Sequence, residues 1–164
     1  MKPPAWRQDP AVYPHSFLIQ TRYRDEDGLH HINNIAVAAY YDETRARFSR
    51  AVFTQAGLMD RVRIVTADSR VTYLGEVFHP DEVEVRSGIL RIGTASYEIG
   101  QAMFQKGRCV GICTTTFVQA SAEGSSPLAP ALRAALEAMM ITAPEPAAGC
   151  PAPSRRRPAA GRSD

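Results

Sequence analysis

The chain has 164 residues, enough for one domain with a core of its own. With 45% apolar and 22% charged residues it has a globular composition, which excludes disorder throughout, and no window approaches the ~18 uninterrupted apolar residues of a membrane span. The formal charge of +2 belongs to the end of the chain, where Arg155, Arg156, Arg157 and Arg162 stand against Glu145 and Asp164; the body is neutral, without the basic stripe of a nucleic-acid domain.

In chain order, "MKPPAWRQDPAVYP" (1–14) reads as an N-terminal extension. It lacks the apolar stretch of a secretory signal, which points to the cytoplasm. "SFLIQTRYR" (16–24) is rich in β-formers and predicts a strand. It runs into "RDEDGLHHINN" (24–34), where three acids, two histidines and two asparagines crowd together. Asn33 or Asn34 then offers an N-cap and Gly57 a C-terminal cap for one helix over about 34–56, roughly 33 Å long at ~1.5 Å per residue. Its first turns, "IAVAAYY", are apolar nearly all round, so other structure is expected to enclose it.

Four further segments, 61–78, 81–93, 95–105 and 108–120, show alternation or β-branched runs. "HPD" (79–81) and "KG" (106–107) are turn signals, so an antiparallel meander is expected. "PLAPALRAALEAMM" (127–140) predicts a closing helix with proline in its first turn. Residues 15–142 therefore read as an α+β domain, a single central helix wrapped by a curved antiparallel sheet of about five strands. The segment 143–164 holds five of the twelve prolines and reads as a flexible tail. Cys109 and Cys113 would share a strand face ~13 Å apart, too far for a disulfide, and with Cys150 in the tail nothing has metal-ligand spacing.

"RYRDEDGLHHINNIAVAAYYDETR", with "EVFHPDEVEV" and "FQKGRCV", resembles the hotdog-fold acyl-CoA thioesterases of the 4-hydroxybenzoyl-CoA thioesterase-like group over about residues 15–140. That family opens on Asp-x-Asp, two variable residues and Gly-His-Val-Asn-Asn, then a tyrosine and a helix bearing an acid and an arginine. Asp25, Asp27, His31, Ile32, Asn33, Asn34, Asp42, Glu43 and Arg45 fall into register; His30 replaces the glycine and Val37 the tyrosine. The resemblance implies that Asp27 is nucleophile or general base and that backbone N–H groups near Asn34 bind the thioester carbonyl. A helix N-terminus, with unpaired donors and about half a positive charge, suits a developing oxyanion. His31 is read as a loop-fixing hydrogen-bonder or a proton carrier, and Asn33, Val37 and Tyr41 as substrate neighbours. Arg70, Arg86 and Arg91 are candidates for the CoA phosphates. The resemblance also implies a homodimer or homotetramer and acyl-CoA as the partner molecule; no cofactor or metal is expected, and charge and hydropathy point to no nucleic-acid or membrane partner.

Other readings compete. Asp27 alone is a common kind of loop acid, and Asp25 suits a structural role. Asp42 is a second choice for the acid, while Glu43 and Arg47 make an ordinary i,i+4 pair. Asp25 and His30 have the separation of a hotdog-fold hydratase pair but lack the Asn-Pro between them. Asp25, Asp27, His30 and His31 include metal-ligand types. A non-catalytic acyl-CoA-binding module would keep the fold without turnover. No Gly-x-Ser-x-Gly elbow of a serine hydrolase occurs.

Overall fold

A computed structural model describes residues 3–59 and 61–142; the tail at 143–164 and Cys150 lie outside the described residues. The helix forms where capping and composition place it. α1 spans Asn34–Ala56, with the Asn33 side chain accepting from the Ile35 N–H and Gly57 in the left-handed conformation (φ 66°) closing its end. Glycine adopts that conformation without a Cβ penalty, which is why the helix stops there. Val37, Tyr40, Tyr41, Thr44, Phe48 and Val52 are buried along one stripe at helical spacing.

The expected enclosure of the first turns is only partial, because Ile35 is 81% exposed and Ala39 is also exposed. α1 lies on the concave face of the sheet and leaves one side bare.

The strands are β1 (His15–Ile19), β2 (Arg63–Tyr73), β3 (Val83–Ile92), β4 (Ser96–Gln105), β5 (Arg108–Ser121) and a two-residue β6 (Gly124–Ser125). The closing helix α2 is shorter than its pattern, Pro130–Glu137, with proline in its first turn. All pairings are antiparallel and the order is β1-β3-β4-β5-β2, with β6 beside β5.

β3, β4 and β5 form a meander, and Lys106 (φ 50°) and Gly107 (φ 75°) make the two-residue turn of the β4–β5 hairpin. The full four-strand meander expected from the sequence does not form. β1 takes the free edge of β3, so β2 pairs with β5 at the other edge, and residues 74–82 cross between them.

The first strand also ends sooner than expected, at Ile19. The chain passes through a 3-10 turn, Tyr23–Asp25, before the acidic cluster, so Asp25 and Asp27 are loop residues. A bulge in β5 changes the reading of the cysteines. Phe104 pairs with Cys109 but Met103 with Gly111, which leaves Val110 as the extra residue. Cys113 therefore packs on the helix side with Tyr41 and Val37, while Cys109 packs on the outer face with Tyr13 and Ile112. Both are free thiols.

Phe48, Val52, Ile89, Leu132 and Leu136 bury the α1–α2 side of the core. Trp6, Val12 and Tyr13 pack on the outer face of the sheet with Phe104 and Ile112, and the Thr142 N–H bonds the Val12 carbonyl.

Candidate active site

The loop from Asp25 to Asn33 is built from its own backbone. The Ile32 N–H bonds the Val77 carbonyl at 2.7 Å, tying the loop to the segment after β2. The Asn33 N–H bonds the Asp25 carbonyl at 2.8 Å, and the Asp27 N–H bonds the His31 carbonyl at 3.0 Å. Asp27 and Asp25 thereby receive different surroundings.

Asp25 is held structurally. Its carboxylate accepts from the Tyr40 hydroxyl at 2.7 Å and pairs with Arg22 Nε at 3.2 Å. Burial, and then the Asp25 hydrogen bond and charge, push the Tyr40 hydroxyl up to about 12. Asp27 instead turns its own loop: one carboxylate oxygen accepts from the Leu29 N–H at 2.9 Å, and the other lies 3.6 Å from His31 Nδ1. That second separation is an ion-pair distance, too long for a direct hydrogen bond.

His31 and Asn34 line a cleft of about 330 Å³ at the start of α1, with Val37 on its floor and residues 73–77 opposite. Helix geometry leaves the first N–H groups without intrahelical partners. Asn33 satisfies the Ile35 N–H, and the first backbone bond inside the helix runs from Val37 to Asn33, so the Asn34 and Ala36 N–H groups remain as donors at the cleft end. The tyrosine the family carries at Val37 would have filled part of this floor. Leu29, Ile35, Tyr73 and Phe78 are exposed apolar residues near it.

His30 resolves one departure from the motif. It adopts φ 61°, so the backbone keeps the bend that glycine would have made, with the side chain exposed. A non-glycine residue pays for that conformation. His30→Gly should accordingly stabilise the protein by about 0.5–1 kcal/mol, read as a higher denaturant midpoint, with turnover unchanged. A loss of activity on that substitution would show that the imidazole contributes chemistry. The hydratase pair is not assembled, since Asp25 is engaged by Tyr40 and Arg22 while His30 faces solvent. Among the described residues, no three His, Cys, Asp or Glu side chains converge on a possible metal position.

Several expected substrate contacts fall elsewhere. Tyr41 is a core residue, 1% exposed, under the sheet beside Gly111, where an added Cβ would stand 2.8 Å from its hydroxyl. Burial raises its pKa well above the usual tyrosine value. Arg86 pairs with Glu84, Arg91 pairs with Glu98, and Arg70 lies on the outer sheet face; none lines the cleft. Asp42 is bound to Arg45, whose guanidinium also donates to Thr115 and stacks over Phe117, about 12 Å along the helix from Asn34. Glu43 and Arg47 form the surface pair expected of them.

Two residues to which the sequence assigned no role stand near the cleft. Glu76 lines it directly. Arg108 has its guanidinium 3.5 Å from where a Cβ on Gly75 would lie, and it makes no ion pair among the described residues. Both lie in segments that carry the resemblance, "EVFHPDEVEV" and "FQKGRCV", but their nearness to the helix start follows only from the crossing of residues 74–82.

A family model described as the thioesterase-like superfamily matches residues 21–136. The chain belongs to that superfamily. It is a thioester hydrolase by family and a hotdog by fold, one long helix on a curled antiparallel sheet. A solved structure described as a predicted thioesterase from Bacillus stearothermophilus is similar at TM-score 0.69 and 25% identity, covering 76% of this chain and 95% of that one. A thioesterase from Thermus thermophilus, complexed with coenzyme A and Zn, has TM-score 0.69 and 23% identity over 78% and 95% of the two chains. A gentisyl-coenzyme A thioesterase shares the fold at TM-score 0.65 and 16% identity over 74% and 99%. No protein of curated function matches the chain. No helix among the described residues is long and apolar enough to cross a membrane.

Proposed function

We propose that this thioesterase-superfamily chain hydrolyses the thioester of an acyl- or aroyl-coenzyme A at the cleft where α1 begins. The observation that carries the reading is one juxtaposition: free N–H donors at Asn34, His31 beside them, and the Asp27 carboxylate 3.6 Å behind the imidazole. Asp27 attacks the carbonyl carbon or takes the proton of an attacking water. The carbonyl oxygen gains charge facing the helix N-terminus, where the donors are already in place. Collapse breaks the C–S bond and the thiolate leaves as CoA, protonated by the acid form of the base or by solvent; where Asp27 has attacked, water then hydrolyses the mixed anhydride on its carboxylate and frees the acid.

A second copy of the chain completes the proposed enzyme. The edge of β2 away from β5 has unpaired backbone groups, and Ile35 and Tyr73 are exposed nearby. Such an edge beside an apolar patch favours association, here as a homodimer or homotetramer.

For the nucleotide end of the substrate, position favours Arg108 over Arg70, Arg86 and Arg91. Arg108→Gln should raise KM for an acyl-CoA about tenfold with kcat kept, and leave the corresponding N-acetylcysteamine thioester unaffected. Equal effects on both substrates would remove Arg108 from the CoA contact.

Mass spectrometry of products tests the reaction class. The reading predicts free acid and CoA in equal amounts from a saturated acyl-CoA. An enoyl-CoA converted to its water adduct with no CoA released would favour a hydratase instead.

A further inference from the structure

Arg7 is the one buried charged residue among the described residues of the N-terminal segment, 9% exposed, and it does not line the cleft at the start of α1. Its guanidinium donates to Thr114 Oγ1 at 2.8 Å and to the Cys113 carbonyl at 2.9 Å. An arginine has five N–H donors. Among the described residues Arg7 has no carboxylate partner, and its Nε is buried without an acceptor. A buried cation left without an anion is costly, so its surroundings should supply one.

Arg7 lines a cavity of about 320 Å³ between the N-terminal segment and the outer face of β2, β4 and β5. Thr115 faces the helix through Arg45, so its neighbours Thr114 and Thr116 face outward, into this cavity. In the pairing of β2 with β5, Arg70 stands opposite Thr114 and Asp68 opposite Thr116. Arg7 therefore bonds the Thr114 hydroxyl, whose own hydrogen is free to donate, while Arg70 lines the same cavity from the position opposite Thr114. Of the two carboxylates lining the cavity, Glu98 is already held by Arg91 at 2.9 Å, and Asp68 makes no ion pair among the described residues. The cavity thus keeps an excess of positive charge, presented by arginine forks and hydroxyl donors.

We propose that this cavity is a binding site for a small oxyanion of the phosphate class, with Arg7 as its floor and Arg70, Thr114 and Thr116 as its rim. Arginine forks and hydroxyls are the donors that tetrahedral oxyanions select. Occupation would fasten the N-terminal segment to the sheet beside the β2 edge. The phosphate can be the free ion or a monoester on a larger molecule.

Calorimetric melting of the full chain tests this, in phosphate-free buffer with ionic strength held constant by sodium chloride. Inorganic phosphate is titrated in one arm and adenosine 3′-monophosphate in the other. Wild type should show a Tm that rises with phosphate concentration as ligand linkage requires. A response to the free ion alone identifies a free-anion site, and an equal or stronger response to the nucleotide identifies a monoester site.

Arg70→Gln should weaken the apparent affinity at least tenfold and Arg7→Lys at least as much, whereas Asp68→Asn should tighten it. If Arg7→Lys fails to fold, the two surface variants still decide. The proposal is overturned if neither phosphate compound stabilises wild type beyond chloride, or if Arg70→Gln keeps the wild-type response. Asp68→Asn lowering Tm with no phosphate effect would show that Asp68 alone balances Arg7.

Discussion

Asp27→Asn lowers kcat by at least ~10², the expected loss when a general base or nucleophile is removed, while Tm and KM stay near wild type. The expectation follows from where the carboxylate sits. One oxygen is committed to the Leu29 N–H, a bond the asparagine side-chain oxygen can also accept, so the loop keeps its shape. What the substitution removes is the anion beside His31. Stopped-flow or steady-state thiol release checks it, with melting run on the same samples. If Asp27→Asn keeps near-normal hydrolysis, the loop is only a turn and cap, and Glu76, the acid that lines the cleft itself, becomes the residue to replace.

Asp25→Ala should act on stability instead, lowering it by about 1–3 kcal/mol with kcat changed less than fivefold. Tyr40 is 1% exposed and its hydroxyl donates to Asp25, so removing the carboxylate leaves a buried donor unsatisfied, at about 1–3 kcal/mol. The ion pair with Arg22 adds little, since that arginine is about half exposed. Replacing Tyr40 by phenylalanine in the same background should recover much of the loss, because then neither partner is stranded. Urea unfolding of the two single variants and the double variant measures this coupling. Additive losses would show that the Tyr40–Asp25 bond is not what holds the loop.

The sequence was most legible where local chemistry decides local structure. The caps offered by Asn33 or Asn34 and by Gly57 marked both ends of α1, since a capping side chain and a left-handed glycine act within one turn; the structure uses Asn33. Lys106-Gly107 announced its hairpin for the same reason. Strand order was not legible. Alternation marks β2 as a strand but does not say whether β3 or β5 will pair with it, and the crossing of 74–82 follows from β1 having taken the edge of β3.

The misplaced site residues have the same origin. Tyr41 is one position from Tyr40, and only the side of α1 that meets the sheet makes it core. Arg70 alternates onto the outer face of β2, which cannot be seen until that strand's partner is known. Glu76 lines the cleft and Arg108 stands beside Gly75 at its edge through topology, although the segments that hold them resemble the family. The bulge at Val110 likewise separates Cys109 and Cys113 onto opposite faces, because one extra residue reverses the alternation. His30 shows the converse: the motif's glycine is absent, yet the bend it encodes persists, because the surrounding backbone bonds hold it at φ 61°.

In the proposed function, the Asp27–His31–Asn34 end of α1 hydrolyses acyl-CoA. Thiol release by the purified chain tests it most directly, on a panel of short, medium, long and aromatic acyl-CoAs. Steady release from at least one member is expected, one thiol per acid formed, with no metal added. Tight binding of an acyl-CoA with no thiol released from any member would contradict it and leave a binding module in its place.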